Sequence, residues 1–457
     1  MTPHRRTVVV GGGIAGLTAA HLLAAAGSGE VLVLEGSPEL GGKLRVAEVG
    51  GVTVDVGAEA MLARRPEGVE LLRSLGLEVV HPTATGSGLW SRGAVRPLPR
   101  TLLGVPLDLA DLAGSGVLTA AGLERVRREP ELPPTRLEGD VTVADLVAAR
   151  LGPEVVERLV EPLLGGVYAG HASLLSARAA TPHLVALAER GSLLEGAAAL
   201  PVSDAPVFAG LVGGLGTLPA ALVATGDFEV RMAAPVRELA AGSTGGFRLT
   251  VGSTRDPETV TADAVVLACP AAPAARLLAG VAPAAATELA SVESASTVVV
   301  THAFRATDLG VLADTRASGF LVPPVEDRRI KAATYSFAKW EWVRAAGDGL
   351  LLLRTSAGRH REEAALQRTD EELVADSLAE LAAATGTTAR PVDSHVQRWG
   401  GALPQYAVGH LDRVARVREA VAAVPGLAVC GAAYDGVGVP AVIGSARRAV
   451  ASLTPAE

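Results

Sequence analysis

The sequence predicts an α/β fold built on a Rossmann-type dinucleotide-binding unit. Three observations carry that prediction: an apolar strand running into a glycine-rich turn, an alanine-rich helix leading to a second apolar strand, and an acidic residue where that strand ends. Residues 7–35 read TVVVGGGIAGLTAAHLLAAAGSGEVLVLE. Gly11 permits the tight turn out of the first strand, Gly13 lets the backbone approach a pyrophosphate, and Gly16 lets the helix pack closely on the sheet. Gly12, Ile14 and Ala15 complete the turn and open the helix, whose positive end would hold the pyrophosphate. Glu35 lies 19 positions beyond Gly16, with Gly36 beside it, where a carboxylate is expected to accept hydrogen bonds from an adenosine ribose. A lone GxGxxG could be no more than a tight strand-to-helix turn. Both strands, the helix and the acid in register make a bound dinucleotide the better reading.

The elements that follow are read in chain order. Residues 36–62, GSPELGGKLRVAEVGGVTVDVGAEAML, place Gly41, Gly42 and Lys43 one short turn after the acid and end a further strand at Val54 to Glu59. Residues 61–80 suggest a turn and a short helix leading to a strand. From 98 to 200 apolar residues recur at spacings of three and four, as in VTVADLVAARLGPEVVERLVEPLL, which predicts a mainly helical region. GGLGTL at 213–218 precedes a helix, and FEVRMAAPVREL, FRLTV and VVLAC return the chain to strands. Strands dominate again near 297–304 and 349–355, with an amphipathic helix around 370–385. At the end, the apolar strand 427–430 runs into a glycine-rich turn, and 441–453 has helical composition, which gathers free backbone N–H groups and a helix N-terminus at one point.

Composition bounds the function. At 457 residues and 49% hydrophobic, the chain can bury more than one core, and two or three domains are expected. The formal net charge of -8 implies no general affinity for nucleic acid or acidic membranes, and any anionic substrate must be met by local arginines. Only two cysteines, Cys269 and Cys430, argue for a reducing, cytoplasmic setting. Arg5 and Arg6 before an apolar stretch imitate an export signal, but the glycines in register with Glu35 are better explained by the nucleotide fold. No other stretch offers the ~18 uncharged apolar residues of a membrane span, and the protein is expected to be soluble or at most peripheral. The nine histidines show no metal-like spacing, and neither a Ser-His-Asp arrangement nor paired carboxylates stand out.

The segment around Gly42, Lys43, Gly57, Ala58, Glu59 and Ala60 resembles the FAD-binding segment of the amine-oxidase-like flavoproteins, which include monoamine oxidases, phytoene desaturases and protoporphyrinogen oxidases. The stretch EPLLGGVYAG at 161–170, with LLS at 174–176, resembles the signature of protoporphyrinogen and coproporphyrinogen oxidases. The resemblance continues through GFLVP at 319–323, Lys339 and Trp340, PQYAVGH at 404–410 and GAAYDGVGVP at 431–440. It departs at His171, where many relatives carry Asp.

The resemblance implies an amine-oxidase-like FAD-binding domain, a mixed-sheet substrate domain and a helical insert. The divisions expected are 1–85, 210–280 and 395–457 for a discontinuous FAD domain, 86–209 for the insert and 281–394 for the substrate sheet. It implies noncovalent FAD, since the attachment cysteine of monoamine oxidases would fall near residues 400–402 and none is there. Gly431, Val437, Gly438 and Val439 would face the flavin pyrimidine ring, Val236 would contact adenine through its backbone, and Trp399 would neighbour the flavin. Arg64 and Arg65 stand where relatives place a cation towards a substrate propionate; which of the two points inward stays open, and a solvated pair at a helix start is the alternative. Gly166 is a second substrate candidate, because its missing side chain would let backbone approach a flat macrocycle, against the alternative of a helix-ending glycine.

The implied chemistry is dehydrogenation of a porphyrinogen in heme biosynthesis, by hydride transfer to flavin N5 with O2 as acceptor and H2O2 as by-product. No protein side chain is expected to be catalytic and no metal is expected. Four propionates on coproporphyrinogen III suit the basic pair and the resemblance to soluble bacterial enzymes, with a chelatase as downstream partner. Protoporphyrinogen IX is the alternative substrate. An amine oxidase, a polyene desaturase, or a non-enzymatic binding protein on the flavin fold remain further readings.

Overall fold

The computed structural model describes residues 5–84, 86–201, 205–243 and 245–454. The predicted unit forms as β1 (Arg6–Val10), α1 (Ile14–Ala25) and β2 (Glu30–Leu34). β1 and β2 pair in parallel with Val8 opposite Leu32 and Val10 opposite Leu34. The sheet has five parallel strands, in the order Glu229–Arg231, β2, β1, Ala264–Leu267 and Leu427–Val429. It is covered on both faces, which is why its strands are continuously apolar rather than alternating.

Val9, Val33 and Val266 face α1 and the helix Val439–Leu453, where Leu17, Ala19, Ala20, Ile443 and Ala446 are buried. Small residues on both helices let them lie close together. Val8, Leu32, Val265 and Leu267 face the other way, onto Phe247 and Leu249 of a three-stranded meander and the helices Ala271–Leu278, Pro283–Ala290 and His410–Ala422.

The central region is helical, as its periodicity predicts. Its helices begin on side chains that take up the free N–H groups: Asp108 accepts from Ala110 and Asp111, Thr142 from Asp145, Ser176 from Ala179 and Ser192 from Glu195. Leu146, Leu159, Leu164, Tyr168 and Leu184 form its core. Arg150 and Glu129 make an ion pair there that is closed to solvent, and Glu129 also accepts from the backbone N–H groups of Leu193 and Leu194.

A seven-stranded mixed sheet forms the third unit, in the order Asp393–Pro404, Ser294–Arg305, Leu350–Ala357, Ala332–Thr334, Ala317–Leu321, Gly86–Ser91 and Ala94–Pro97. The helix Asp370–Thr385 lies against it, opened by a capping box in which Thr369 and Glu372 satisfy each other's backbone. Two strands fall elsewhere than the division drawn from the sequence. Gly86–Ser91 and Ala94–Pro97 join this sheet rather than the helical insert, because the parallel pairing of Leu89 with Leu321 buries Leu89 between the sheet and the insert. Asp393–Pro404 runs across the boundary drawn at residue 395. Among the described residues no helix is long and apolar enough to cross a membrane.

Candidate functional site

The turn at residues 11–13 is fixed by backbone. Gly11 has φ +111°, donates to the Leu34 carbonyl at 2.9 Å, and could carry a Cβ only at 2.9 Å from the carbonyl oxygen of Ala268. Gly16 is tighter still, since a Cβ there would stand 1.9 Å from the Gly11 carbonyl oxygen. α1 starts at Gly13 with no side chain capping it and no acidic residue in its first turn, which leaves N–H groups and the positive end of the helix dipole free for an anion. Ile14 and Ala15 are buried beneath it.

Glu35 ends β2 and points back at this turn, accepting from Gly12 N–H at 2.6 Å and from Ser37 N–H at 2.7 Å. Each carboxylate oxygen retains a lone pair for a ribose hydroxyl. Gly36 packs on Pro235, and Ala234 N–H donates to the Glu35 carbonyl at 2.8 Å, which brings Val236 to the same edge.

Gly41 and Gly42 dock on the first turn. Gly41 N–H donates to the Gly12 carbonyl at 2.9 Å, and a Cβ on Gly42 would lie 3.3 Å from the Gly13 Cα. The two glycine turns therefore pack directly on each other, with no side chain between them. The chain then passes Lys43, whose amine pKa burial lowers. It returns through Gly57, where a Cβ would meet the Lys43 carbonyl oxygen at 2.1 Å and the Trp399 ring at 3.1 Å. Ala58 N–H donates to the same carbonyl, and Ala60 is partly buried against Val52 and Trp340. Trp399 donates from Nε1 to the Val56 carbonyl at 3.1 Å and lies under the Arg45 guanidinium at 5.5 Å.

Sequence reasoning placed Glu59 here but missed what holds it. Its carboxylate is buried and pairs with Lys339 Nζ at 2.5 Å and Arg354 at 3.2 Å. Burial alone would raise its pKa; the charges of Arg354 and Lys339 outweigh that and hold it below the ordinary carboxylate range. Arg354 also donates to the Gly57 carbonyl at 2.9 Å. Asp55, one turn earlier, accepts from Leu215 and Gly216 N–H at 2.9 and 2.8 Å, and burial pushes its pKa up to about 7 against those two bonds. Only Lys339 had a signal in the sequence, as part of the family resemblance at Lys339 and Trp340.

The closing segment reaches the first turn from the other side. Gly431 has φ +127°, and a Cβ there would come within 3.9 Å of Ala15. The helix Val439–Leu453 starts at Gly438 uncapped by any side chain, with Pro440 in its first turn. Val439 is buried under α1, while Val437 packs against the helical region. Cys269 sits beside Gly11, its thiol pushed up to about 12 by burial, which removes it as a thiolate. No cluster of metal-ligating side chains occurs among the described residues.

The candidate substrate residues lie around this frame. Arg64 and Arg65 are exposed just before the helix Pro66–Ser74, which packs on the start of Val439–Leu453 through Gly68 and Pro440; Arg65 pairs with Glu67 at 2.7 Å. Gly166 is exposed on the helix Glu161–Tyr168 with open space on its Cβ side, and does not end that helix. The close approach falls instead at its neighbour Gly165, where a Cβ would stand 2.4 Å from Nη1 of Arg359. Gln405 closes the motif by donating to the Tyr168 carbonyl at 2.8 Å, and Gly170 leaves room for it.

Comparison with known proteins agrees with this geometry. The family "Flavin containing amine oxidoreductase" matches residues 14–454. The chain is 40% identical to the coproporphyrinogen III oxidase of Mycobacterium tuberculosis, over 100% of this chain and 98% of that protein. It is 29% identical to the coproporphyrinogen III oxidase of Bacillus subtilis, over 98% and 97%. Its fold matches the crystal structure of "Putative protoporphyrinogen oxidase from Exiguobacterium sp. 255-15" with a TM-score of 0.87 at 31% identity, covering 98% of each chain.

Proposed function

The chain belongs to the flavin containing amine oxidoreductase family, and from that premise we propose that it oxidises coproporphyrinogen III to coproporphyrin III, with noncovalent FAD as cofactor, O2 as acceptor and H2O2 as by-product. The observation that carries this reading is the 40% identity to coproporphyrinogen III oxidases over the whole chain. The residues fit the cofactor. Two uncapped helix starts, at Gly13 and Gly438, and two opposed glycine turns form a cradle that a Cβ would obstruct.

When bound, FAD supplies hydride acceptance and reoxidation by O2. The chain's own part is to bind, orient and exclude. Glu35 takes the ribose, Gly12, Gly13 and the first turn of α1 take the pyrophosphate, and Val236 borders the adenine. Lys43, Gly57, Ala58 and Trp399, together with Val437, Gly438 and Val439, would hold the ring system. The uncapped start of Val439–Leu453 favours negative charge at that edge. Arg64 or Arg65 and the backbone at Gly166 hold the macrocycle. The parallel-sheet unit would serve FAD, the mixed sheet, with residues 86–97 in it, would lie beneath the substrate, and the helical insert would cover it. The two free cysteines support a cytoplasmic setting. The product is a planar porphyrin ready for metal insertion, which makes a chelatase the expected recipient.

A second reading, protoporphyrinogen IX oxidation, is favoured by the 30% identity to the protoporphyrinogen oxidase of Macaca fascicularis, over 99% of both chains. Measuring kcat/KM for both porphyrinogens with one preparation decides between them. The expected result is a preference for coproporphyrinogen III, with porphyrin fluorescence and peroxide appearing together. A preference for protoporphyrinogen IX overturns the substrate, and turnover of neither overturns the reaction.

A further inference from the structure

Near the exposed Gly166 lie two buried basic side chains that are held by no ion pair among the described residues. Arg359 is 6% exposed and Lys331 is 7% exposed. Arg359 donates from Nη2 to the Val322 carbonyl at 2.8 Å, and Lys331 donates from Nζ to the Gly358 carbonyl at 3.0 Å, so each is held only by neutral carbonyls. Nη1 of Arg359 has no partner among the described residues. The acids around them are engaged elsewhere: Glu293 pairs with His360 at 2.7 Å and Arg361 at 3.2 Å, and Glu362 with His171 at 3.4 Å. Glu161 accepts from Ala172 N–H through one oxygen, burial raises its pKa towards the neutral form, and it attracts Arg359 without reaching an ion pair. Neither cation forms an ion pair among the described residues.

A buried charge held only by neutral groups is costly, and burial together with Arg359 lowers the Lys331 pKa to about 7. A fold retains such charges where a ligand brings the missing anion. Nη1 lies against Gly165, and the next two residues, Gly166 and Val167, are exposed. A planar guanidinium with one nitrogen left unpartnered is suited to a carboxylate.

We propose that Arg359, backed by Lys331, receives a substrate propionate at a station separate from Arg64 and Arg65, and that residue 165 is glycine to let that side chain through. The inference rests on the function proposed above. The two propionates of protoporphyrinogen IX sit on neighbouring pyrrole rings. A station apart from the first basic pair therefore meets a carboxylate mainly in the four-propionate substrate.

The test uses the FAD-loaded enzyme and the variants Arg359→Met and Lys331→Met. It measures kcat/KM on both porphyrinogens, binding of the stable porphyrins coproporphyrin III and protoporphyrin IX by fluorescence quenching, FAD content and melting temperature. Arg359→Met should lower kcat/KM for coproporphyrinogen III about tenfold or more, chiefly through KM, and weaken coproporphyrin III binding in step. Protoporphyrinogen IX should suffer less, FAD content should hold, and the ligand-free melting temperature should hold or rise as an unpaired charge is removed. Equal losses on both substrates, or a lower melting temperature with an unchanged substrate ratio, would assign Arg359 to structural pairing with Glu161 and overturn the proposal. If Arg359→Met does not fold, Gly165→Ala takes its place; displacing the guanidinium should reproduce the same shift in ratio, and an unchanged ratio overturns the proposal. A wild-type enzyme that oxidises neither porphyrinogen would instead refute the function itself.

Discussion

Gly13 and Gly16 stand in one motif, yet the geometry assigns them different work, and alanine at each separates the two. At Gly16 the added Cβ would fall 1.9 Å from the Gly11 carbonyl oxygen, well inside van der Waals contact, and the obstacle is backbone. α1 must move away from β1 by about an ångström or more, an overpacking that costs about 1–3 kcal/mol and lowers the melting temperature of the apoprotein. At Gly13 the nearest atom to an added Cβ is the Gly42 Cα at 3.9 Å, and the backbone at φ -77° accepts any L-residue. The apoprotein with Gly13→Ala should therefore melt as the parent does. Its methyl group would project from the turn at the start of α1, where the pyrophosphate would have to approach. Losing one charge-assisted backbone hydrogen bond there costs about 1.5–3 kcal/mol, which is roughly ten- to a hundredfold in the FAD dissociation constant. The assay is FAD titration of deflavinated protein by flavin fluorescence, beside melting curves of both apoproteins. A Gly13→Ala protein that binds FAD as tightly as the parent would show that the pyrophosphate does not approach this turn.

Two other outcomes follow from the same structure. Arg65 is committed to Glu67 at 2.7 Å, which leaves Arg64 the readier cation; Arg64→Ala should raise KM for coproporphyrinogen III several-fold with little change in kcat, and more than Arg65→Ala does, whereas unaltered kinetics in the double variant would remove both from the site. His302 is fully buried between the Ser377 and Ser394 hydroxyls, and burial holds its pKa down to about 4. The unfolded chain takes up that proton first, so this contribution is intact above about pH 6.5 and lost as pH falls towards 4, up to about 3 kcal/mol. Urea unfolding of His302→Gln should show a flatter pH dependence across that window, and an unchanged slope would contradict the burial argument.

What the sequence made legible was local. Gly11, Gly13, Gly16 and Glu35 could be read together because one βαβ unit places them within a single stretch, and the structure turns Glu35 onto Gly12 as that spacing requires. The helix at Asp370–Thr385 was equally readable from its amphipathic pattern. Contacts between distant segments were not. Nothing near Glu59 announces that Lys339 and Arg354 neutralise it, and nothing near Asp55 shows that it anchors Leu215 and Gly216. Gly166 drew attention because glycine suggests close approach, but periodicity cannot tell which of two adjacent glycines faces a neighbour; the crowded one is Gly165. The strands at 86–97 carry too few apolar residues to declare their sheet, and only pairing with Ala317–Leu321 identifies it.

The order of strands in the parallel sheet also bears on how the protein is made. Ala264–Leu267 is flanked by β1 on one side and by Leu427–Val429 on the other, so its second edge stays open until late in synthesis. Until then a fully apolar strand edge and the buried face of α1, later covered by Val439–Leu453, are exposed on the nascent chain. Such surfaces invite mispairing with other chains. The flavin site proposed above would be incomplete during that interval, because it includes the turn before Val439–Leu453. Slow translation of the final segment would therefore lengthen the period in which this chain depends on a chaperone, and supplying more FAD to the cell would not shorten it.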